Sequence, residues 1–152
     1  VALPFFLFPA NEPVTLPLST LYRPEQAELP KLDLRKGKHI VCFLSLTCSH
    51  CRDAATKIHQ IKANNPAIPF YFFFPNEDND TVKAWKLKDF MHSTEDSDIP
   101  YSFIPYKTFV DMVKAAGEDG VPTMLWMQDS TIIRKMEVPD IHQSEMEQWL
   151  SN

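Results

Sequence analysis

Residues 40–51 read Ile-Val-Cys-Phe-Leu-Ser-Leu-Thr-Cys-Ser-His-Cys, an apolar run that ends at two cysteines separated by two residues. The run is short, apolar and begins with β-branched residues, which predicts a buried strand over 40–46. Apolar residues then recur at helical spacing, namely Ala54, Ala55, Ile58 and Ile61. Cys48 is therefore expected at the N-terminus of a helix, with Cys51 one turn further along.

This placement favours redox chemistry at Cys48. Unpaired backbone N–H groups and the positive end of the helix dipole stabilise a thiolate relative to a thiol, and the thiolate is the species that attacks a disulfide. His50, when it is protonated or donates a hydrogen bond, would stabilise that thiolate further and make the disulfide form more oxidising. The alternative for His50 is a solvated histidine at a helix start. The same cysteine spacing also occurs in half of a zinc site, so a second motif is needed.

The second motif is Gly120-Val121-Pro122-Thr123, which precedes the apolar run 124–127. Proline cannot donate a hydrogen bond to a sheet, so Pro122 belongs at the start of a strand or in a special turn. A cis peptide bond is the usual reason for such a placement.

Together the two motifs resemble the thioredoxin superfamily, over residues 32–150. The resemblance rests on the order strand, dithiol, helix, strand, helix, Val-Pro-Thr, hairpin and terminal helix. Thr123, and the long segment before the proline, are more similar to the exported TlpA and ResA branch than to cytosolic thioredoxin. The resemblance implies a thioredoxin-like α/β fold with a central mixed sheet flanked by helices. It also implies a cis Val121–Pro122 bond that packs against the dithiol, with the backbone of Val121 offered to an extended substrate.

Three features depart from the family pattern. Thr47 stands immediately before the first cysteine, where the family usually has tryptophan. Cys42 stands where cytosolic thioredoxins bury an acid that accepts the proton of the second cysteine. The dipeptide Ser49-His50 is closer to the Pro-His of DsbA-type oxidants than to the Gly-Pro of reductants, so the direction of electron flow stays open.

The expected function is thiol–disulfide exchange with protein thiols and disulfides and with a redox partner protein. In this scheme Cys48 attacks or is attacked, Cys51 resolves the mixed disulfide, and His50 tunes the thiolate. The resemblance gives Val121 and Pro122 the role of positioning the partner polypeptide. No cofactor is expected, because the electrons reside on the two sulfur atoms.

Two other function classes fit parts of the pattern. Thr47 immediately before Cys48 suggests a peroxiredoxin-like peroxidase, although peroxiredoxins usually set their threonine three residues before the reactive cysteine. A non-catalytic module could hold copper or zinc through the dithiol, or keep the fold for partner docking. Zinc would need two further ligands, and the five histidines offer no second close pair, so no metal site is predicted. Cys42 is expected to be a small buried hydrophobe, with a third redox thiol or a metal ligand as the alternatives.

Composition and charge are consistent with one exported domain. The chain has 152 residues, of which 44% are hydrophobic, enough for one good core. A net charge of −5 and the absence of a basic stripe argue against a nucleic-acid surface. An extracytoplasmic compartment such as the bacterial periplasm suits a dithiol of this kind. The apolar segment 1–9 is shorter than the roughly 20 residues that span a bilayer, and is read either as the end of a removed membrane anchor or as a segment packed on the domain.

The organisation along the chain is predicted as follows. Residues 1–30 form a proline-rich extension with edge strands around 14–22, and residues 31–152 form the thioredoxin-like domain. Further strands are expected over 68–74 and 131–138, the latter pairing with 124–128. Helices are expected over 80–90, 106–116 and 141–150. The helix over 80–90 would present Val82, Trp85, Leu87 and Phe90 to the core.

Overall fold

The computed structural model describes residues 13–26, 28–91 and 98–152. Within this part of the chain, six strands form one sheet in the order β1-β6-β5-β2-β3-β4. The strands are β1 (Val14–Thr15), β2 (Lys38–Phe43), β3 (Phe70–Asn76), β4 (Tyr101–Pro105), β5 (Thr123–Gln128) and β6 (Thr131–Met136). The helices are α1 (Ser49–Asn64), α2 (Asp80–Phe90), α3 (Tyr106–Ala115) and α4 (Gln143–Leu150). The strands β2, β3 and β4 are parallel to one another, whereas β5 is antiparallel to both β2 and β6.

The strand β2 is buried on both faces of the sheet. Ile40 and Cys42 belong to the core layer that contains α1, and Val41 and Phe43 belong to the layer that contains α3. The aromatic strand β3 alternates in the same way, and its residues from Phe70 to Phe74 are all buried. A near-continuous apolar run is what a strand covered on both faces requires. The expected central mixed sheet flanked by helices is confirmed.

The strand β4 was not predicted. It is a five-residue strand at the sheet edge, where it pairs in parallel with β3. Prolines stand immediately before it and at its last position, Pro100 and Pro105. Because proline is typical of turns and strand edges, the local signal for a paired strand was weak, and pairing with β3 decides the conformation.

The N-terminal edge is only partly as predicted. The strand β1 pairs with β6, but Leu18–Tyr22 form a 3-10 helix rather than a strand. Leu18 and Leu21 are three residues apart, so one turn of this helix places both side chains in the core. The segment 1–9 lies outside the described residues. No helix of the described ranges is long and apolar enough to cross a membrane.

The predicted face of α2 is wrong at Trp85, whose side chain is 68% exposed. This helix reaches the core near its C-terminus, where Phe90 is buried edge-on against Phe74 with ring centroids 5.6 Å apart. Trp85 lies five residues earlier, a rotation of about 140° around the helix from Phe90. It therefore points to solvent. Gly117 follows α3 with a positive φ of 81°, the left-handed conformation in which a glycine commonly ends a helix.

His59 is a buried histidine on the core side of α1. Its ring meets the ring of Phe72 edge-on at 5.7 Å, and neither ring nitrogen has a hydrogen-bond partner in the described part of the chain. Burial disfavours the charged imidazolium and lowers the pKa of His59 from 6.5 to about 4.

His59 should make the fold less stable in acid. The unfolded chain takes up a proton near pH 6.5 whereas the folded chain does so near pH 4, so stability falls as pH drops through this window. The free energy of unfolding should decrease by about 2 kcal/mol between pH ~7.5 and ~5 from this residue. Urea unfolding at both pH values should show a smaller decrease for His59→Leu than for the exposed-site control His142→Ala. An equal decrease in both variants would contradict the assignment.

Candidate active site

The helix α1 begins at Cys48, as predicted. Cys48 is the N-cap, with extended backbone angles of φ −93° and ψ 121°, and its Sγ accepts a hydrogen bond from the N–H of Cys51 at 3.2 Å. This N–H is one of the four at a helix start that have no partner inside the helix. The sulfur of Cys48 thus lies at the electropositive end of α1 and remains half-buried at the surface.

Cys51 lies inside the protein, one turn along the same helix. Its side chain is fully buried, and its Sγ accepts a hydrogen bond from the N–H of Ser45 at 3.5 Å. Burial raises the pKa of the Cys51 thiol, and the hydrogen bond with Cys48 raises it further. The two cysteines are thiols in this structure, and only Cys48 reaches the surface.

Cys42 is a third thiol on the same side of the sheet. It is fully buried and belongs to the same core cluster as Cys51, as expected for a small hydrophobe. Burial raises its pKa as well. The position at which cytosolic thioredoxins hold a buried acid is therefore filled by a neutral group, and the thiol of Cys51 has no carboxylate there.

The peptide bond between Val121 and Pro122 is cis, as the resemblance implied. Both residues line an open cleft of about 410 Å³ together with the exposed His50 of α1, and we refer to it as the His50 cleft. Val121 also packs against the core cluster that contains Cys51 and against which Cys48 packs. The fold thus brings His50, the Val-Pro turn and the dithiol into one region, although 68 residues lie between Cys51 and Gly120 in the sequence.

A second cleft adjoins the first one. Its volume is about 260 Å³, and its lining includes Ser45 and Val121. The two clefts share Asp119, Gly120 and Val121. Because the N–H of Ser45 contacts the Sγ of Cys51, this second cleft begins directly beside the buried thiol.

Arg52 is the lysine or arginine nearest in sequence to the dithiol, and its charged group contacts α2. The guanidinium of Arg52 pairs with the carboxylate of Asp89 at 2.9 Å, donates to the Asp89 carbonyl at 3.0 Å, and lies over the ring of Phe90. These contacts hold Arg52 against α2. The Cys48 sulfur instead has the N–H of Cys51, at the helix N-terminus, as its hydrogen-bond donor.

Sequence reasoning assigned no role to Ser45, and Gly120 was named only as the first residue of the Gly-Val-Pro-Thr motif, without a role of its own. The contribution of Ser45 is a backbone N–H, which any residue except proline carries, so its residue type gave no signal. Gly120 could have been noticed as one of only three glycines in the chain. Among the described residues, no group of three His, Cys, Asp or Glu side chains is placed to hold a metal ion.

Comparisons with known proteins place the chain in the thioredoxin fold. No family model matches it, and no curated protein matches it. A thiol:disulfide interchange protein from a Bacteroides species aligns with a TM-score of 0.59 and 15% identity, over 79% of this chain and 77% of the other. The thioredoxin domain of a thiol-disulfide oxidoreductase from Bacteroides vulgatus aligns with a TM-score of 0.58 and 15% identity, over 78% and 82%. A secreted disulfide oxidoreductase from Mycobacterium tuberculosis covers 92% of this chain and 94% of its own, with a TM-score of 0.57 and 14% identity.

Cys48 should be the thiol that alkylating reagents modify first. It is partly exposed, whereas Cys42 and Cys51 are buried with raised pKa values. Treatment of the reduced protein with iodoacetamide near neutral pH, followed by peptide mass spectrometry over time, should show Cys48 labelled well before the other two. The same protein in denaturant should label all three at comparable rates. Faster labelling of Cys51 or Cys42 in the folded protein would show that Cys48 is not the accessible nucleophile.

Proposed function

We propose that this protein is a thiol–disulfide oxidoreductase that exchanges the Cys48–Cys51 pair with protein thiols and disulfides. The observation that carries the proposal is the asymmetry of the pair. The sulfur of Cys48 lies at the surface and accepts a helix N-terminal N–H, while Cys51 lies buried one turn behind it. This arrangement suits one cysteine for attack on a partner and the other for internal resolution.

The proposed exchange proceeds in two steps. The thiolate of Cys48 attacks one sulfur of a partner disulfide, a new S–S bond forms, and the other partner sulfur leaves as a thiolate that takes up a proton. The thiol of Cys51 then loses its proton and attacks the sulfur of Cys48, which closes the internal disulfide and releases the second partner thiol. Two electrons pass from the dithiol to the partner, and the reverse sequence oxidises a partner. No further cofactor is needed for this balance.

The neighbouring residues have supporting roles in the proposal. His50 is exposed on the first turn of α1, where its ring can approach a charged sulfur at Cys48 without a burial cost. Val121 and Pro122 line the same cleft as His50, so a partner segment lying along this turn would be held beside the dithiol. A redox partner protein that restores the starting state of the pair is implied by the chemistry.

The compartment is proposed to be extracytoplasmic, as in the bacterial periplasm. Dithiols of this kind exchange with partners in oxidising compartments, and one of the structures with the same fold is described as secreted. A membrane anchor before the described residues, and the boundary between an extension over 1–30 and a domain over 31–152, stay predictions.

The hydrogen bonds of Thr47 do not support the peroxidase alternative. The hydroxyl of Thr47 lies 3.3 Å from the hydroxyl of Ser45, and the N–H of Thr47 also donates to Ser45. Thr47 is thus engaged with Ser45 rather than with the sulfur of Cys48. Insulin reduction, peroxide consumption and elemental analysis of the purified protein separate oxidoreductase, peroxidase and metal-binding module, and the proposal requires the first activity.

Removal of Cys51 should trap the intermediate. Cys51→Ala leaves Cys48 without its resolving thiol, so a mixed disulfide with a partner should accumulate, and turnover in insulin reduction should fall to background. Non-reducing electrophoresis of an exported-protein extract, with and without dithiothreitol, measures the adduct. Cys42→Ala removes a buried thiol outside the pair and should resolve its adduct as the unmodified protein does. An adduct trapped equally by Cys42→Ala would overturn the assignment of Cys51.

Substitution of His50 should lower the reduction potential of the pair. Loss of a group that stabilises the thiolate of Cys48 disfavours the reduced state, so His50→Ala should be more reducing by about 30 mV, which is roughly tenfold in the exchange equilibrium. Equilibration with glutathione buffers, read out by alkylation, gives the potential. His142→Ala changes an exposed histidine at the start of α4 and should leave the potential unchanged. An unchanged potential in His50→Ala would contradict the tuning role.

A further inference from the structure

The second cleft has mainly apolar walls. Its apolar lining consists of Tyr106, Phe109, Val110 and Val113 from α3, together with Pro75 and Val121. Its volume of about 260 Å³ is below the roughly 300 Å³ at which pockets for drug-sized ligands begin. The cleft is thus the size of a side-chain subsite. We refer to it as the α3 groove.

Gly120 lies where the α3 groove meets the His50 cleft. Its backbone is outside the left-handed region, and a Cβ at this position would meet no atom within 4 Å. Neither the turn nor the local packing therefore requires glycine. The absence of a side chain leaves open the space that joins the two clefts, along the same turn that carries Val121.

The lining of the two clefts, which we call the rim where it carries charge, has more acidic than basic side chains. Asp119 lines both clefts, Glu77 lines the α3 groove, and Glu137 lines the His50 cleft. None of these three carboxylates forms an ion pair within the described part of the chain. Lys114 is the only lysine or arginine among the residues that line either cleft. A partner segment with positive charge complements this rim, and one with negative charge is repelled.

We propose that the α3 groove binds a bulky apolar side chain of the partner polypeptide, close to the cysteine that reacts with Cys48, in a segment that also carries a lysine or arginine. This inference rests on the proposed function and names the class of substrate that the same site selects. The segment crosses over Gly120. Its apolar residue enters the groove beside Ser45, and its basic residue faces Asp119.

The test uses short peptides whose single cysteine carries 5-thio-2-nitrobenzoate as a mixed disulfide. Attack by Cys48 at the peptide sulfur forms the protein–peptide disulfide and releases the yellow thiolate, so absorbance gives the second-order rate constant. Four peptides combine Phe or Ala at one position next to the cysteine with Lys or Glu at another. Ellman's reagent, which has no peptide, serves as the reference disulfide for each protein variant.

We expect the peptide with Phe to react about tenfold faster than the peptide with Ala, the scale of discrimination typical of an apolar pocket. Tyr106→Ala removes an exposed wall of the groove and should reduce this ratio toward one. Trp85→Ala is the matched control, because it removes an exposed aromatic residue that lines neither cleft. Gly120→Leu, placed in open space, should also reduce the ratio by obstructing the passage.

The same peptides test the preference for a basic residue in the partner segment. The peptide with Lys should react severalfold faster than the peptide with Glu, and the difference should shrink as salt is added. Asp119→Asn should weaken this preference, whereas Asp98→Asn changes an exposed carboxylate that lines neither cleft and should not.

The possible results distinguish a failure of the proposed side-chain selection from a failure of the proposed oxidoreductase function. Equal rate constants for all four peptides, with normal reaction toward Ellman's reagent, would overturn the substrate selection and leave the oxidoreductase proposal standing. Failure of Cys48 to release the yellow thiolate from any of these disulfides would overturn both. A change of sedimentation mass in Tyr106→Ala would show that the groove joins two copies of the chain, which would also overturn the inference.

Discussion

The pairing of β2 with β5 and β3 is the constraint on which the site depends. Because β2 is buried on both faces, a shift of one residue would exchange Cys42 and Phe43 between the two core layers, which fixes the register. In this register Phe43 lies opposite Thr123, the first residue of β5. The pairing of β2 with β5 therefore positions the end of β2, which leads to Cys48, beside the turn that ends at Pro122.

Burial then separates the two cysteines chemically. They are three residues apart on one helix, yet Cys48 faces the surface at the helix N-terminus and Cys51 faces the core. Burial in the core cluster that also contains Cys42 raises the pKa of the Cys51 thiol, which favours its protonated form. Because only Cys48 of the pair reaches the surface, the proposed exchange begins at its sulfur and Cys51 acts in the second step.

Features that depend on local interactions could be predicted from the sequence, whereas features that depend on packing between distant segments could not. The helix start at Cys48 and the helix over 80–90 depend on local spacing and capping, and both were predicted. The strand β4 and the exposure of Trp85 depend on what packs against them, so the local pattern was insufficient. The cis bond at Pro122 followed from the motif and the family resemblance together. The N–H of Ser45 and the open space at Gly120 are properties of backbone and surroundings, which residue type does not encode.

The turn 120–122 contributes Gly120 and Val121 to the lining of both clefts. It is held at its C-terminal end by Thr123, whose hydroxyl donates to the carbonyl of Gly120 at 2.6 Å, so its position is fixed by the sheet. Most of the apolar lining of the α3 groove, namely Tyr106, Phe109, Val110 and Val113, comes instead from α3, which contributes neither cysteine. In the proposed scheme, changes at exposed positions such as Tyr106 would alter which side chains are accommodated, while the register of β2 and β5 keeps the two sulfurs in place. A site divided in this way would be able to vary its substrates while it retains the proposed exchange reaction.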